Sequence, residues 1–333
     1  MSGVGPLRVG ILGAGHMGRV HAGVLARDPR VRMVGVADSD AGRAAPLAAE
    51  HEVPAHAGLE PLLAAGLDLL VVATPNFLHA EATLAALERG VGVLCEKPMA
   101  TNLKDARAVR DAAARPGAFY AVGHNRRHAP AYRRVRALID AGFRPLLASL
   151  KMHEGDYRSP AWVSDREISG GFLYENLVHF FDLLEWLVAP ATEVACLARG
   201  PLYPDLNDFV ISFACSGGSI AALTASGHAS WLQPAERFEL VGDHASIAVL
   251  GLEQVQHAPG SDLPVRVEDF ADRPREERWG YVEQDAEVVE ARLAGRGTCF
   301  SAARALRTLE IAEACLAAAR EGRPVRLGPP PAD

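Results

Sequence analysis

The sequence is short of the features that mark several functional classes. Cysteine is scarce: Cys95, Cys196, Cys215, Cys299 and Cys315 are the only five in 333 residues, odd in number, scattered and never in a C-x-x-C pair. Neither a disulfide framework nor a thiolate zinc site is indicated, and with no further His or Cys cluster no metal is expected. An excess of positive charge is absent too. The formal charge is −7 and the pI ≈ 6.0, with no basic stripe interleaved with aromatics, which argues against nucleic acid or anionic lipid as a partner. No apolar run approaches a membrane span, and "MSGVGPLRVGILGAG" lacks a basic segment followed by a long apolar stretch. The expected location is the cytoplasm, with reduced and mostly buried thiols.

What is present belongs to an ordinary globular chain, 49% hydrophobic and 23% charged, and long enough for two cores. Over the first 125 residues, short Val/Leu/Ile runs ("LRVGILG", "VRMVGVAD", "LDLLVVAT", "VGVLCE", "FYAVGH") alternate with Ala-rich stretches of helical spacing such as "FLHAEATLAALERG", which ends at the C-cap residue Gly90. That alternation predicts an α/β fold, a parallel sheet with helices on both faces. After "AYRRVRALIDAG" the order becomes hairpin-like ("LLASLKMHE", "VACLAR", "DFVISFACSGGSIAALTASG", "RFELVGDHASIAVL"), implying a mainly antiparallel sheet. Two helical stretches, "GYVEQDAEVVEARLAG" and "CFSAARALRTLEIAEACLAAAREG", close the chain. The expected division is residues 1–125 and 126–333, with packing of the C-terminal helix back onto the first domain left open.

A cofactor signal comes early. "GILGAGHMG" places Gly13, Gly15 and Gly18 in G-x-G-x-x-G spacing between a strand and a helix starting near Met17, so that this turn, with His16 and Met17, can cradle a pyrophosphate. Asp38 ends the next strand 20 residues after Gly18, where a carboxylate accepts the adenosine-ribose hydroxyls. Its charge repels a 2′-phosphate and no arginine follows at once, which favours NAD over NADP. Strand ends face the ligand crevice in such sheets, so Thr74, Pro75, Asn76 and His79 in "VVATPNFLHAEA" are expected along the dinucleotide path; a capped helix start explains Asn76 almost as well, and a structural role suits His79 equally.

The same rule puts Glu96 and Lys97 of "LCEKPMA" at the crevice mouth, where the nicotinamide ring would lie. A primary amine there can bond a substrate hydroxyl and help move its proton, and Pro98 restrains the loop that carries it. In "ISGGFLYENLVHFFDLLEWL", helical spacing puts Glu175, His179 and Asp182 on one face at i, i+4 and i+7. The imidazole suits a base for an alcohol proton, Glu175 can orient it, and Asn176 can bond a hydroxylated substrate. Leu177, Phe181, Leu184 and Leu187 are expected to pack inward. Read by itself, such a polar face is more often solvated helix surface.

Together "GILGAGHMG", "ATPNFLHAE", "EKP", "GHNRRHAPAYRRVRALI", the "SGG...H..D" helix and "RALRTLEIAEACLAAAREGRPVRL" make the chain resemble the Gfo/Idh/MocA oxidoreductases over essentially its full length. The resemblance implies a Rossmann domain followed by an open, mainly antiparallel sheet domain for substrate binding and oligomerisation, as a homodimer or homotetramer joined through that sheet. It implies NAD as cofactor, Lys97 at the reacting hydroxyl, His179 as catalytic histidine, and Arg126 near the nicotinamide, with Asn125 or Arg127 as alternatives. Glu175 and Leu177 stand where the family's D-x-G-x-H pattern has Asp and Gly. The expected reaction interconverts a secondary alcohol and a ketone on a sugar, cyclitol or aminocyclitol. Transient use of tightly bound NAD for glycoside cleavage or elimination, and a non-catalytic dinucleotide-responsive binding protein, are the alternatives.

Overall fold

Apolar runs with no polar face become buried strands in the first part of the chain. Strands β1 (Leu7–Leu12), β2 (Val31–Ala37), β3 (Ala55–His56), β4 (Leu69–Val72), β5 (Gly92–Cys95) and β6 (Tyr120–Val122) alternate with helices α1 (His16–Leu25), α2 (Ala41–Glu50), α3 (Leu59–Ala64), α4 (His79–Glu88) and α5 (Leu103–Ala113). The computed structural model describes residues 5–156, 161–230 and 235–331. The strands pair in parallel in the order β3-β2-β1-β4-β5-β6. The order reverses between β1 and β4, and a ligand crevice opens beyond the carboxyl ends of strands at such a point. β4 and β5, "LLVV" and "GVLC", are buried throughout, as strands covered on both faces must be. Asp40 caps α2 and Asn102 caps α5, and Gly90 leaves α4 with φ +72°.

The second part of the chain carries α6 (Pro130–Asp140), β7 (Leu147–His153), the short α7 (Arg166–Ser169) and α8 (Val178–Leu187). Strands β8 (Ala191–Arg199), β9 (Asp208–Cys215), β10 (Ile220–Ser226), β11 (Glu236–Val241), β12 (Ser246–Leu250), β13 (Gln254–Ala258) and β14 (Arg266–Asp269) follow. The chain ends in α9 (Arg275–Arg278), α10 (Tyr281–Ala294), α11 (Ala302–Glu321) and β15 (Val325–Arg326). Nine strands form one sheet in the order β14-β13-β12-β11-β7-β10-β9-β8-β15. It is mainly antiparallel, with one exception: β7 lies parallel to β10, because helices and two strands intervene between them where a hairpin turn would have made them antiparallel. Phe209, Ile211 and Phe213 of β9 face inward while Val210 is exposed. On the covered face Phe181 of α8 meets Phe213 edge-on at 6.1 Å and Phe172 stacks on Phe209 at 6.0 Å.

The chain forms two units, Met1–His124 with Tyr281–Leu306, and Asn125–Gly280 with Arg307–Asp333. Helix α10 thus belongs to the first, where it packs on α1. Among the described residues no helix is long and apolar enough to cross a membrane.

Candidate functional site

In the first unit the three glycines of the turn after β1 have separate reasons to be glycine. Gly13 has φ +99°, and a Cβ there would lie 2.4 Å from the Ala73 carbonyl oxygen; at Gly18 it would lie 1.8 Å from that of Gly13. The first is a turn and the second a close helix–strand approach. Gly15 differs, because a Cβ there would meet nothing within 4 Å. It faces open space at the start of α1, where among the described residues no side chain caps the helix. The opening N–H groups, at His16, Met17 and Gly18, are left for an anion, so the turn fits a dinucleotide pyrophosphate.

Asp38 leaves β2 buried beside this turn. Its Oδ2 accepts the Ala14 N–H at 2.8 Å, and its Oδ1 accepts the Asp40 N–H at 2.9 Å and Arg43 Nη2 at 3.0 Å. Burial alone would raise its pKa; the donated hydrogen bonds from Asp40, Ala14 and Arg43 outweigh that and hold it below the usual value. An arginine does therefore reach Asp38, from the first turn of α2.

After β4, the Thr74 hydroxyl is buried and finds no partner among the described residues, a polar atom in want of a ligand at the strand end. Pro75 precedes a single 3₁₀ turn, Asn76–Leu78, whose Asn76 is buried. His79 is 1% exposed, with Nδ1 2.7 Å from the Pro98 carbonyl oxygen and Nε2 2.8 Å from that of Thr74. Two carbonyl acceptors require a proton on both nitrogens. Burial opposes that charge, but Cys95 and the two carbonyls push the His79 pKa up to about 9. His79 therefore ties the Thr74 turn to the loop after β5.

That loop carries Glu96 and Lys97, whose side chains lie differently. Glu96 is buried, with Oε1 2.9 Å from His21 Nε2 and Oε2 accepting the Lys97 N–H at 3.2 Å. A Cβ on Gly123 would lie 3.1 Å from its carboxyl carbon, so Gly123 leaves the slot the carboxylate occupies. On the other side of His21, Nδ1 lies 2.8 Å from Asp285 Oδ2 of α10. His21 is wholly buried, which disfavours its charge, yet the charges and hydrogen bonds of Asp285 and Glu96 push its pKa up to about 10. Glu96 is held below its usual value, its burial offset by His21 and by the charges of Lys97 and His79. Lys97 is half-buried. It is one of only three lysines against 31 arginines, in a chain that draws nearly all its positive charge from a group that cannot give up a proton.

In the second unit, the expected α-helical face is altered. Leu173–Leu177 form a π turn before α8 begins, so Glu175 does not sit at regular α spacing from His179; such turns recur at functional sites. Glu175 is half-buried, Asn176 and His179 are buried, and Leu177, Phe181, Leu184 and Leu187 pack inward. The polar face is not solvated surface. The Asn176 Nδ2 group finds no acceptor among the described residues. Asp182, expected beside the histidine, accepts a two-bond contact from Arg127 at 2.7 and 2.6 Å, and that guanidinium lies 5.4 Å from the Trp186 ring. Arg126 turns elsewhere, to the Glu236 carboxylate with its guanidinium 5.4 Å from Trp279, and Asn125 donates to the Trp279 carbonyl at 2.8 Å. His21, Asp285 and Arg43 were not singled out by sequence. A buried histidine in α1 and an aspartate 264 positions away carry no local sign of pairing; only Arg43, in the first turn of the helix after a strand-end aspartate, left a readable one.

Residues 7–124 match the family described as "Oxidoreductase family, NAD-binding Rossmann fold", and residues 148–327 the "Oxidoreductase family, C-terminal alpha/beta domain". Inositol 2-dehydrogenase 2 of Saccharopolyspora erythraea is 30% identical over 98% of this chain and 97% of that protein. The rhizopine catabolism protein MocA of Rhizobium meliloti is 32% identical over 54% of this chain and 56% of that one, so the chain spans about half the length of that relative. Among solved structures, a levoglucosan dehydrogenase in complex with NADH and levoglucosan superposes with a TM-score of 0.89 at 22% identity, covering 96% of this chain and 99% of that one; at that identity it shows the shared fold.

Proposed function

The chain belongs to the Gfo/Idh/MocA oxidoreductase family, with that family's NAD-binding Rossmann domain in its first part, and on that premise we propose that it is an NAD-dependent dehydrogenase of polyhydroxylated rings. The substrate class is a sugar, cyclitol or aminocyclitol bearing a secondary alcohol that is interconverted with a ketone. The relative named for inositol, aligned over nearly the whole of both chains, supports that class. The observation that carries the reading is the loop after β5. It carries the half-buried Lys97 just past the end of a strand in the sheet that also carries the glycine turn, with its backbone fixed by Glu96 and by His79 on Pro98, which supports a role for its amine.

When bound, NAD supplies a nicotinamide ring that accepts or returns a hydride. The chain's own residues handle binding and the proton. Gly13, Gly15 and Gly18 admit the pyrophosphate, Asp38 takes a ribose hydroxyl, and Thr74, Pro75 and Asn76 line the path. Lys97 bonds the reacting oxygen and stabilises its developing charge, and His179 takes the hydroxyl proton as general base. Glu175 orients the imidazole, and Asn176 offers its amide to a neighbouring hydroxyl. Arg126, which lies over Trp279 and pairs with Glu236, is the cofactor-side arginine of this proposal.

In this reading residues 1–125 serve the cofactor in the cytoplasm, and residues 126–333 serve the substrate and a second copy of the chain. The outward face of the large sheet supports the latter, because Leu197, Val210 and Ile220 are 74%, 55% and 53% exposed on a surface that a partner sheet would cover. Light scattering after size exclusion should give a dimer or tetramer, and Val210→Glu should shift it toward monomer.

The main experiment screens inositols and anhydrosugars with NAD, following absorbance of the reduced cofactor. Lys97→Ala and His179→Ala should each lower turnover by about 10²- to 10⁴-fold; unchanged turnover in both removes the mechanism.

A further inference from the structure

Helix α1 does more than offer its opening amides to a pyrophosphate. One turn further on it carries His21, wholly buried, with Asp285 of α10 at 2.8 Å on Nδ1 and Glu96 at 2.9 Å on Nε2. A carboxylate on each nitrogen requires a proton on each. Neither His21 nor Asp285 has a part in the reaction proposed above. Glu96 completes the chain of contacts, because one of its oxygens meets His21 and the other accepts the Lys97 N–H at 3.2 Å.

Asp285, His21, Glu96 and Lys97 therefore run in series, from α10 through α1 to the loop after β5. Bonded at both oxygens, the Glu96 side chain keeps one of its rotamers. The slot beside Gly123 admits little else, since a Cβ there would lie 3.1 Å from the carboxyl carbon. Charge matters as well as shape. Burial opposes the Glu96 charge, and His21, Lys97 and His79 favour it, but both His79 nitrogens are taken by carbonyl oxygens. Were His21 neutral, the cation left for Glu96 to draw would be the Lys97 ammonium.

We infer that Asp285 and His21 are positioning residues for Lys97: through Glu96 they fix the backbone that carries the amine and keep the carboxylate from capturing it. The helix that seats the dinucleotide thereby also sets where the amine stands. The inference rests on the role given to Lys97 above. The arrangement holds while His21 keeps its proton. Burial disfavours that proton, but Asp285 and Glu96 push the His21 pKa up to about 10, so the series is intact at neutral pH and is lost as pH rises toward and through that value. The other groups at hand are Tyr281, edge-on to the imidazole at 6.0 Å, and the uncharged Gln284, which donates to Asp285 at 3.3 Å.

Lysine is scarce enough to make the amine visible without a substrate. Lys97, Lys104 and Lys151 are the only three, so protein labelled with carbon-13 at lysine Cε gives one signal for each, and Lys97→Arg identifies that of Lys97. At neutral pH, His21→Gln should move this signal and leave the other two in place. Gly123→Ala, which narrows the slot without altering any charge, should move it as well. Asp285→Asn keeps an acceptor on Nδ1 but removes one of the charges that favour the imidazolium, so the Lys97 signal should step away from its neutral position at a pH about one to three units lower than in the wild-type chain. With NAD and myo-inositol, His21→Gln should lower kcat by about ten- to a hundredfold. NADH affinity, read by its own fluorescence, should change less than about threefold, and in a Lys97→Ala background the same substitution should cost nothing more. A Lys97 signal that stays put in Gly123→Ala and a step at unchanged pH in Asp285→Asn overturn the inference, even where His21→Gln does not fold, and leave the dehydrogenase reading intact. So does a kinetic loss that recurs in full without Lys97, since a merely structural role adds to the effect of Lys97→Ala. Turnover unchanged in Lys97→Ala removes the reading on which the inference rests.

Discussion

Each unit buries a set of charges next to a proposed catalytic side chain, but the sets are built differently. In the first, one imidazole lies between two carboxylates, Glu96 and Asp285, and the Glu96 carboxylate also holds the Lys97 backbone. In the second, two guanidiniums each have a carboxylate of their own: Arg127 with Asp182, one turn from His179, and Arg126 with Glu236. A guanidinium keeps its charge at any pH a protein survives, whereas an imidazole can lose its own. The second unit therefore has ion pairs that keep their charge as pH rises above neutral, and the first has a charge cluster that alkaline pH can undo. Above neutral pH the arginine pairs fail only when a partner is deleted, whereas the histidine cluster also fails when a proton leaves.

The largest effect should come from deleting a partner. Arg127 and Asp182 are both nearly inaccessible, and removing one member of a buried pair leaves an uncompensated charge, costing about 3–5 kcal/mol. Asp182→Ala should destabilise the second unit by that amount in urea melts. Tryptophan fluorescence reports it cleanly, because Trp162, Trp186, Trp231 and Trp279 all fall within Asn125–Gly280. A loss under about 1 kcal/mol would mean that water reaches the pair and that it is not buried in energetic effect.

Next in size is the pH response of the first unit. The folded pKa of His21, about 10, lies above the ordinary value of 6.5. Its contribution to stability is fully present below about pH 6.5 and is lost as pH rises toward 10, a few kcal/mol in all. The groups that face it are Glu96 from the loop after β5, with Lys97 and His79 acting on that carboxylate, and Asp285 and Tyr281 from α10. Hydrogen exchange in α1 should therefore speed up between pH 7 and 10 beyond its intrinsic dependence, while the tryptophan-detected melt of the second unit changes little over the same range. Asp285→Asn should move the first-unit loss to lower pH. Equal slopes in both units would erase the contrast.

Five of the six strands of the first sheet were legible in sequence because each is a short run dominated by apolar residues, a local signal; β3, only Ala55–His56, carries no such run. The hairpin of β9 and β10 was legible for the same reason, through the "SGG" turn. The buried charges were not. His21 meets Asp285 across 264 positions, and "NRR" offers three neighbouring polar residues of which the fold sends one to a carbonyl, one to β11 and one to α8. The π turn hides for another reason: one extra residue in a turn leaves the apolar pattern of "FLYENLVHFFDLLEWL" intact while shifting Glu175 against His179. Leu177 is fully buried in that turn, where the related pattern has glycine, so its bulk is absorbed by the core.

The smallest effect gives the comparison its scale. Arg89 and Glu60 meet at 2.6 Å in the first unit, the same Nη–O distance as one of the two bonds between Arg127 and Asp182. By bond length the two contacts are equals. Yet the side chains of Arg89 and Glu60 are 46% and 66% exposed, so water and salt screen their attraction and each side chain loses rotamer freedom in making it; such pairs contribute about 0–1 kcal/mol. Glu60→Gln should shift the first-unit melt by less than about 0.5 kcal/mol, and raising the salt to about 1 M, where the screening length falls to roughly 3 Å, should remove what remains. A cost near that of Asp182→Ala would show that distance, rather than burial, decides the strength of ion pairs in this chain, and the contrast between the two units would lose its physical basis.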